Sequence, residues 1–446
     1  MLHFDGAYYV YQLVETGDFY VAHDRYVNYL SQWLPLLGLY AGAGLPTLLL
    51  LWSLSFALGH YLLFLLVVYG FRNPAGGVLL AVSLSWFIRY KYYVGVSETV
   101  YALAWLGTLA AWLTRDRSRY PDPPWRRALV AAFLILACLF CTPVTVVAVL
   151  ALLAFDGVLH RRYREGWNYA LVGFTLVAYG GQLLRLRRSG DWYEQRRLRL
   201  VGEQVDALRS WADVRELYVW DILHHYLTVH YTLPLIVCLA ALAHLAWRGH
   251  RAAAATLLAG VVAVVGMVVV VYANLTRDIY NMLDGYLGTV GCLLGVAYLY
   301  GLLRTPHRRL ALLTTAVLMV FTLHRTAVVG RFFGERSRLV SELTERNRSP
   351  AGNKLQLPAE DVAWAQLWFR WSLPYETLVR SSLAGPGRAV SIGTPGYGRL
   401  DEALARDPAR VPFDSLRVDE LNLRYWRLDS LPYRAVTELP RGWRRE

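Results

Sequence analysis

Long apolar runs separated by short arginine-bearing loops recur between residues 46 and 328. A run of about 20 such residues is what an α-helix needs to cross roughly 30 Å of hydrocarbon. Within lipid, every backbone N–H and C=O must find its partner inside the protein, so a chain of this kind is confined to a bundle of membrane helices. Apolar windows place spans at Pro46 to Gly70, Ala75 to Ile88, Val96 to Leu113, Trp167 to Leu184, Thr232 to Trp247, Ala252 to Asn274, Gly285 to Leu303 and Leu310 to Val328. The stretch Leu129 to Phe155 is too long for one span and is interrupted by Cys141-Thr142-Pro143. It reads as two short helices meeting at a residue that lacks a backbone donor. The expectation is an all-α polytopic membrane protein with about ten transmembrane helices.

Composition points the same way. Of the residues, 56% are hydrophobic and 14% aromatic, and the mean hydropathy is +0.30, which excludes a soluble enzyme of this size. The 46 basic residues outnumber the 33 acidic ones, and all of them except Lys91 and Lys354 are arginine. Guanidinium groups match anionic lipid headgroups and phosphates. They fall in short clusters between apolar runs, not along one amphipathic face, which sets nucleic acid aside as a partner. Cys138, Cys141, Cys238 and Cys292 all lie in apolar stretches, without the spacing of a disulfide scaffold or a zinc site.

Cytoplasmic loops carry the excess of basic charge. Three loops qualify, with Arg115, Arg117, Arg119, Arg126 and Arg127 in the first, Arg161, Arg162 and Arg164 in the second, and Arg304, Arg308 and Arg309 in the third. The opposite, extracytoplasmic side then receives residues 1–45, the loop from Arg89 to Glu98, the polar segment Arg185 to His230, the turn Leu275 to Asp284 and the tail after Gly330. Three parts follow: a first outer segment, 1–45, with an interfacial helix; a transmembrane domain, 46–330; and a small α/β extracytoplasmic domain, 331–446. In the last, Arg331 to Arg346 and Ala359 to Trp371 read as helices, and Arg388 to Ile392 and Leu423 to Val436 as strands. The opening MLHFDGAYYV lacks the basic and apolar regions of a signal peptide. With residue 1 outside, a further transmembrane helix is expected upstream of it. The arginine bias suggests a GC-rich genome and hence a bacterial inner membrane.

Ionisable groups beside membrane level are costly to keep, so carboxylates in outer loops near helix ends mark candidate chemistry. Asp5, within His3-Phe4-Asp5-Gly6-Ala7-Tyr8-Tyr9, sits among aromatic residues able to tune it toward a general base; Gly17-Asp18 and His23-Asp24-Arg25 follow. A solvated acid beside a tyrosine belt is the plainer reading. Next come Arg89-Tyr90-Lys91-Tyr92-Tyr93 and Ser97-Glu98-Thr99; here Ser97 as N-cap, with Glu98 favoured by the helix dipole, would explain the pair by capping alone. Asp221, His224 and His225 share one helical face, with His230 nearby, so a divalent metal is conceivable although surface polar pairing is commoner. Asn274, Arg277, Asp278 and Asp284 lie between two spans.

Taken in order, these features resemble the GT-C superfamily of integral membrane glycosyltransferases. The resemblance rests on HFDGAYY with Asp5 in the first outer loop, on Gly17 to Gly44 with its GDFYVAHDRY opening as a juxtamembrane helix, on Val96-Ser97-Glu98-Thr99-Val100 at the head of a span, and on an outward-facing tail. It covers about the first 115 residues in sequence and the remainder as topology. It implies a GT-C-like helix arrangement and transfer of a sugar from a polyprenyl-phosphate donor to a glycan, lipid or protein acceptor on the extracytoplasmic face. Asp5 would be general base and Glu98 a second catalytic carboxylate; Glu98 lacks the adjacent aspartate of some relatives. Metal use varies in that family, so no cofactor is assigned. Arg89, Lys91 and Arg277 are nominated for the leaving phosphate, Tyr92 and Tyr93 to flank lipid or sugar, and Asp24, Arg25 and Asp278 as further binding groups. The alternatives are a lipid-linked glycan flippase, a polysaccharide polymerase or ligase using Arg185 to Arg199, or a non-catalytic envelope scaffold.

Overall fold

A computed structural model describes residues 5–22, 25–93, 97–116, 118–119, 121–188, 190, 192–207, 210–271, 283–350, 352–357, 370–394, 409–411, 416–440 and 443. The chain opens with α1 (Asp5–Thr16), whose first-turn Asp5 complements the helix dipole and whose end is set by Gly17 in the left-handed region at φ +65°. A 3-10 turn, Tyr26–Asn28, leads into α2 (Tyr29–Tyr40). The polar residues that interrupt this apolar stretch face protein. The Gln32 amide brackets Tyr20, donating to its carbonyl at 2.7 Å and accepting from its N–H at 2.8 Å. Trp33, Leu37 and Tyr40 point outward, as suits a helix lying in the membrane interface.

The bundle follows: α3 (Leu45–Leu65), α4 (Pro74–Ser85), α5 (Glu98–Leu113), α6 (Pro124–Cys141), α7 (Val146–Leu159), α8 (Gly166–Arg188), α9 (Trp192–Ala207), α10 (Trp211–Arg215), α11 (Tyr218–His225), α12 (Thr232–Trp247), α13 (Arg251–Val271), α14 (Leu283–Tyr298) and α15 (Arg308–Arg346). The chain breaks at Thr142-Pro143, as the proline requires. Among the described residues, five helical stretches are long and apolar enough to cross a membrane: Leu45–Gly70, Pro124–Cys141, Arg251–Val271, Gly285–Leu303 and Arg308–Arg346. A sixth results if Tyr218–His230 and Thr232–Trp247, bent by 87°, count as one. The expected ten crossings are therefore not matched by ten helices of spanning length. Two of the surplus windows, α4 and α5, are short helices sheathed by protein, apolar because other helices surround them.

At the centre stand α5 and α14. Of the apolar window Gly285–Leu303, 89% is buried, against 22–33% for the other four spans, whose exposed leucines and valines face lipid. The close fit depends on glycine. A Cβ on Gly288 would stand 2.5 Å from Leu103, one on Gly295 2.9 Å from Leu79, and one on Gly291 would run into the buried ring of Phe87. With no side chain at these positions, α14 lies against α4 and α5 at backbone distance, the usual device for close helix approach in membranes.

Helix α15 runs unbroken for 39 residues, about 58 Å, so the expected separate helix from Arg331 is its upper part. It carries the chain out of the bundle into the tail. There the buried Arg336 guanidinium meets Glu376 of α16 (Leu373–Ser381) at 3.1 and 3.2 Å, and Ser372 donates to the same carboxylate at 2.8 Å. Three parallel strands, β1 (Lys354–Gln356), β2 (Ser391–Gly393) and β3 (Arg434–Ala435), pair in the order β2-β1-β3. The strands expected from Arg388 and from Leu423 shrink to β2 and β3, and β1 has no counterpart among the expectations. The helix expected over Ala359 to Trp371 falls mostly outside the described residues. The tail does not stand apart: Tyr375, Leu378, Val411, Leu421 and Trp426 share one core with Ala7, Val10, Tyr11 and Val14 of α1 and Leu48 and Trp52 of α3.

Gly291→Val overpacks the α14 seam and is expected to lower stability by about 1–3 kcal/mol. Gly266→Ala on α13, where a Cβ meets nothing within 4 Å, is expected to leave it unchanged or raise it by about 0.4–1 kcal/mol. Thermal unfolding in detergent checks both; a Gly291→Val protein as stable as the parent would refute the close-approach account.

Candidate functional site

Three separate segments converge beside α1. Asp5, Tyr8 and Tyr9 occupy positions i, i+3 and i+4 of that helix and share one face. The buried Tyr9 hydroxyl accepts a 2.7 Å hydrogen bond from the side-chain amide of Asn28, itself buried in the turn that follows Arg25. Arg25 reaches the other way, placing its Nη1 2.8 Å from Oε1 of Glu98 in the first turn of α5. Burial pushes the Tyr9 hydroxyl pKa well above its usual value; Arg25 counteracts this, while the negative charges of Asp5 and Glu98 both add to it. Tyr9 therefore stays a neutral phenol at physiological pH.

Ser97 is the N-cap residue of α5 and Glu98 stands in its first turn, as the capping account expects, but the cap lacks its side-chain bond. The Ser97 hydroxyl pairs with that of Thr99 at 2.8 Å. Glu98 is held by Arg25, which the sequence marked only as a binding group. With side-chain exposures of 17% and 23%, the pair is mostly screened from water, a setting where an ion pair is held more firmly than at an open surface.

Arg89 joins a different group. Its guanidinium is buried, 2.9 Å from Nδ1 of His230 and 4.4 Å over the Tyr90 ring. Lys91–Tyr93 forms a 3-10 turn. The Tyr92 hydroxyl donates to the Leu84 carbonyl, and Tyr93 donates to Thr326 at 2.9 Å and stacks on Phe333 at 5.2 Å. Both tyrosines thus brace the loop against α4 and α15. One residue of this group escaped sequence reasoning. Arg325 lies within the apolar run of α15, donating to the carbonyls of His230 and of Trp86 (3.0 Å) with its guanidinium 4.5 Å over Tyr231. It satisfies carbonyls where α4 and the turn before α12 end. An arginine inside an apolar run was the available signal.

Asp24, Arg277 and Asp278 lie outside the described residues. Among the described residues no three His, Cys, Asp or Glu side chains come together to hold a metal; of the expected group, His225 and His230 lie with ring centroids 4.9 Å apart. The four cysteines are free and buried. No protein-family model, curated protein or solved structure matches the chain.

Tyr9→Phe removes the acceptor of a buried amide and is expected to cost about 1–3 kcal/mol. Adding Asn28→Leu, which removes the stranded amide too, is expected to recover part of that loss in a double-mutant cycle. Purely additive losses by thermal unfolding would show that the hydrogen bond contributes nothing.

Proposed function

We propose that this protein is a GT-C-type membrane glycosyltransferase that moves a sugar from a polyprenyl-phosphate donor to an acceptor on the extracytoplasmic face of a bacterial inner membrane. The observation that carries the reading is the 2.8 Å ion pair of Arg25 with Glu98, in a segment whose Asn28 binds Tyr9 on the same α1 face as Asp5. Their separation along the chain makes this a tertiary arrangement.

The chemistry is a displacement at the anomeric carbon through an oxocarbenium-like state. The acceptor oxygen forms the new C–O bond, its proton passes to the Asp5 carboxylate, and the old C1–O bond breaks with its electron pair leaving on the polyprenyl phosphate. Glu98, fixed by Arg25, orients the incoming sugar. Charge developing on the leaving phosphate calls for cations already in place, for which Arg89 and Lys91 are the described nominees. The sidedness rests on the arginine-bearing loops at Arg115, Arg161 and Arg304 facing the cytoplasm. A transporter reading asks for equivalent broken helices in two halves; the described residues contain one strongly bent pair.

Detergent-purified protein is expected to release polyprenyl phosphate in a sugar-dependent manner. Asp5→Asn is expected to lower the rate about 10²–10⁴-fold, the range general-base catalysis supplies, and Glu98→Gln to lower it as well. Full activity in Asp5→Asn would remove the base assignment, and silence of the folded parent across a panel of donor sugars would remove the transferase.

A further inference from the structure

The wall beside Asp5 is aromatic, and the proposed chemistry leaves it unused. The Tyr8 ring stands edge-to-face with Tyr20 at 5.6 Å, Trp371 at 5.8 Å and Tyr375 at 5.1 Å. The Tyr8 and Tyr20 hydroxyls share a 2.6 Å hydrogen bond. Tyr375 is buried, whereas Tyr8, Tyr20 and Trp371 remain partly exposed. Trp371 meets Tyr8 and Tyr375 at interplanar angles of 77° and 69°, so no ring among the described residues lies flat on the indole. Nor does its N–H have an acceptor among them.

The two halves of this wall come from opposite ends of the chain and are bolted together. Tyr8 and Tyr20 belong to the first outer segment, Trp371 and Tyr375 to the tail. The Glu15 carboxylate of α1 accepts from the backbone N–H of Asn422 at 3.1 Å and from the Trp426 indole. Tyr425 donates to the Ala43 carbonyl at 2.8 Å, and Arg424 to that of Gly42. The tail is therefore a fixed part of the surface next to the carboxylates.

We infer that Tyr8, Tyr20 and Trp371 form a carbohydrate-binding subsite that seats an acceptor glycan beside Asp5. The C–H bonds on one face of a pyranose pack on the electron-rich face of an aromatic ring, and its rim of hydroxyls needs donors and acceptors at the ring's edge. An indole with no flat-lying ring and no N–H acceptor among the described residues, edge-to-face with Tyr8, whose hydroxyl is joined to that of Tyr20, offers both. An acyl chain could use the ring faces but would leave those polar edges unanswered. That the glycan is the acceptor rests on the transferase reading; that it binds here does not.

The test uses the full-length protein in detergent. Binding of a panel of hexose tetrasaccharides of glucose, galactose and mannose is measured by calorimetry, and the best binder serves as acceptor in the transfer assay. Trp371→Ala is expected to weaken binding and raise the acceptor KM about tenfold, the equivalent of one good contact, with the donor KM within about a factor of two. Trp371→Phe, which keeps a ring face, is expected to fall between. Glycan affinity unchanged in Trp371→Ala, or donor and acceptor KM rising together with a lowered melting temperature, would make Trp371 a structural seam and overturn the subsite. A parent that transfers to a lipid or peptide yet binds no tetrasaccharide overturns it too, leaving the transferase intact. A parent that transfers nothing but binds glycan in a Trp371-dependent way does the reverse.

Discussion

The head of α5, with Glu98, is positioned by the backbone-to-backbone approach of α14 to α4 and α5. Gly285, Gly288, Gly291 and Gly295 leave room for Thr99, Leu103, Phe87 and Leu79 respectively, and burial of α5 along its length follows from that fit. Without a hydrophobic drive between helices in lipid, such packing is what selects one arrangement. Thr99 follows Glu98 directly, so the glycine that admits it also sets the height at which the Glu98 carboxylate emerges. The path from a sequence of small residues to the location of a charge is thus short and steric.

Above the bundle the logic changes to polar anchoring. Arg25 and Glu98 tie the first outer segment to α5, Asn28 and Tyr9 tie its two arms together, and Arg336 with Glu376 ties α15 to α16. A buried ion pair is a weak source of net stability against a hydrophobic replacement, but losing one partner strands the other at high cost. These pairs specify geometry more than they add strength, which is what a site assembled from distant segments requires.

Much of this was legible in the sequence, and the failures have physical causes. Apolar runs located the helices well, and Pro143 located the break, because both are local properties of the chain. They marked ten crossings where five or six described helices reach spanning length, since α4 and α5 are apolar yet short and packed by protein. Asp5 and Glu98 were each visible as acids near helix starts; nothing local showed that Arg25 would pair with Glu98. Arg325 was visible as a charge in an apolar run, but the carbonyls it serves come from the ends of other helices. Strand β1, three residues long, carries too little alternation to be read. The core shared by α1 and the tail is a long-range pairing that a window along the sequence does not see.

That pairing has a consequence in time. Glu15 meets Asn422 and Trp426 across 407 and 411 positions of chain, and contacts of such separation form late because a large loop must close first. During synthesis α1 is made long before its partners exist, with Tyr11 and Val14 lacking the neighbours that will cover them. The wall beside Asp5 is therefore completed only once Trp371, Tyr375, Tyr425 and Trp426 have been made. A chain that stalls before then leaves the α1 face that carries Asp5 without its aromatic neighbours from the tail.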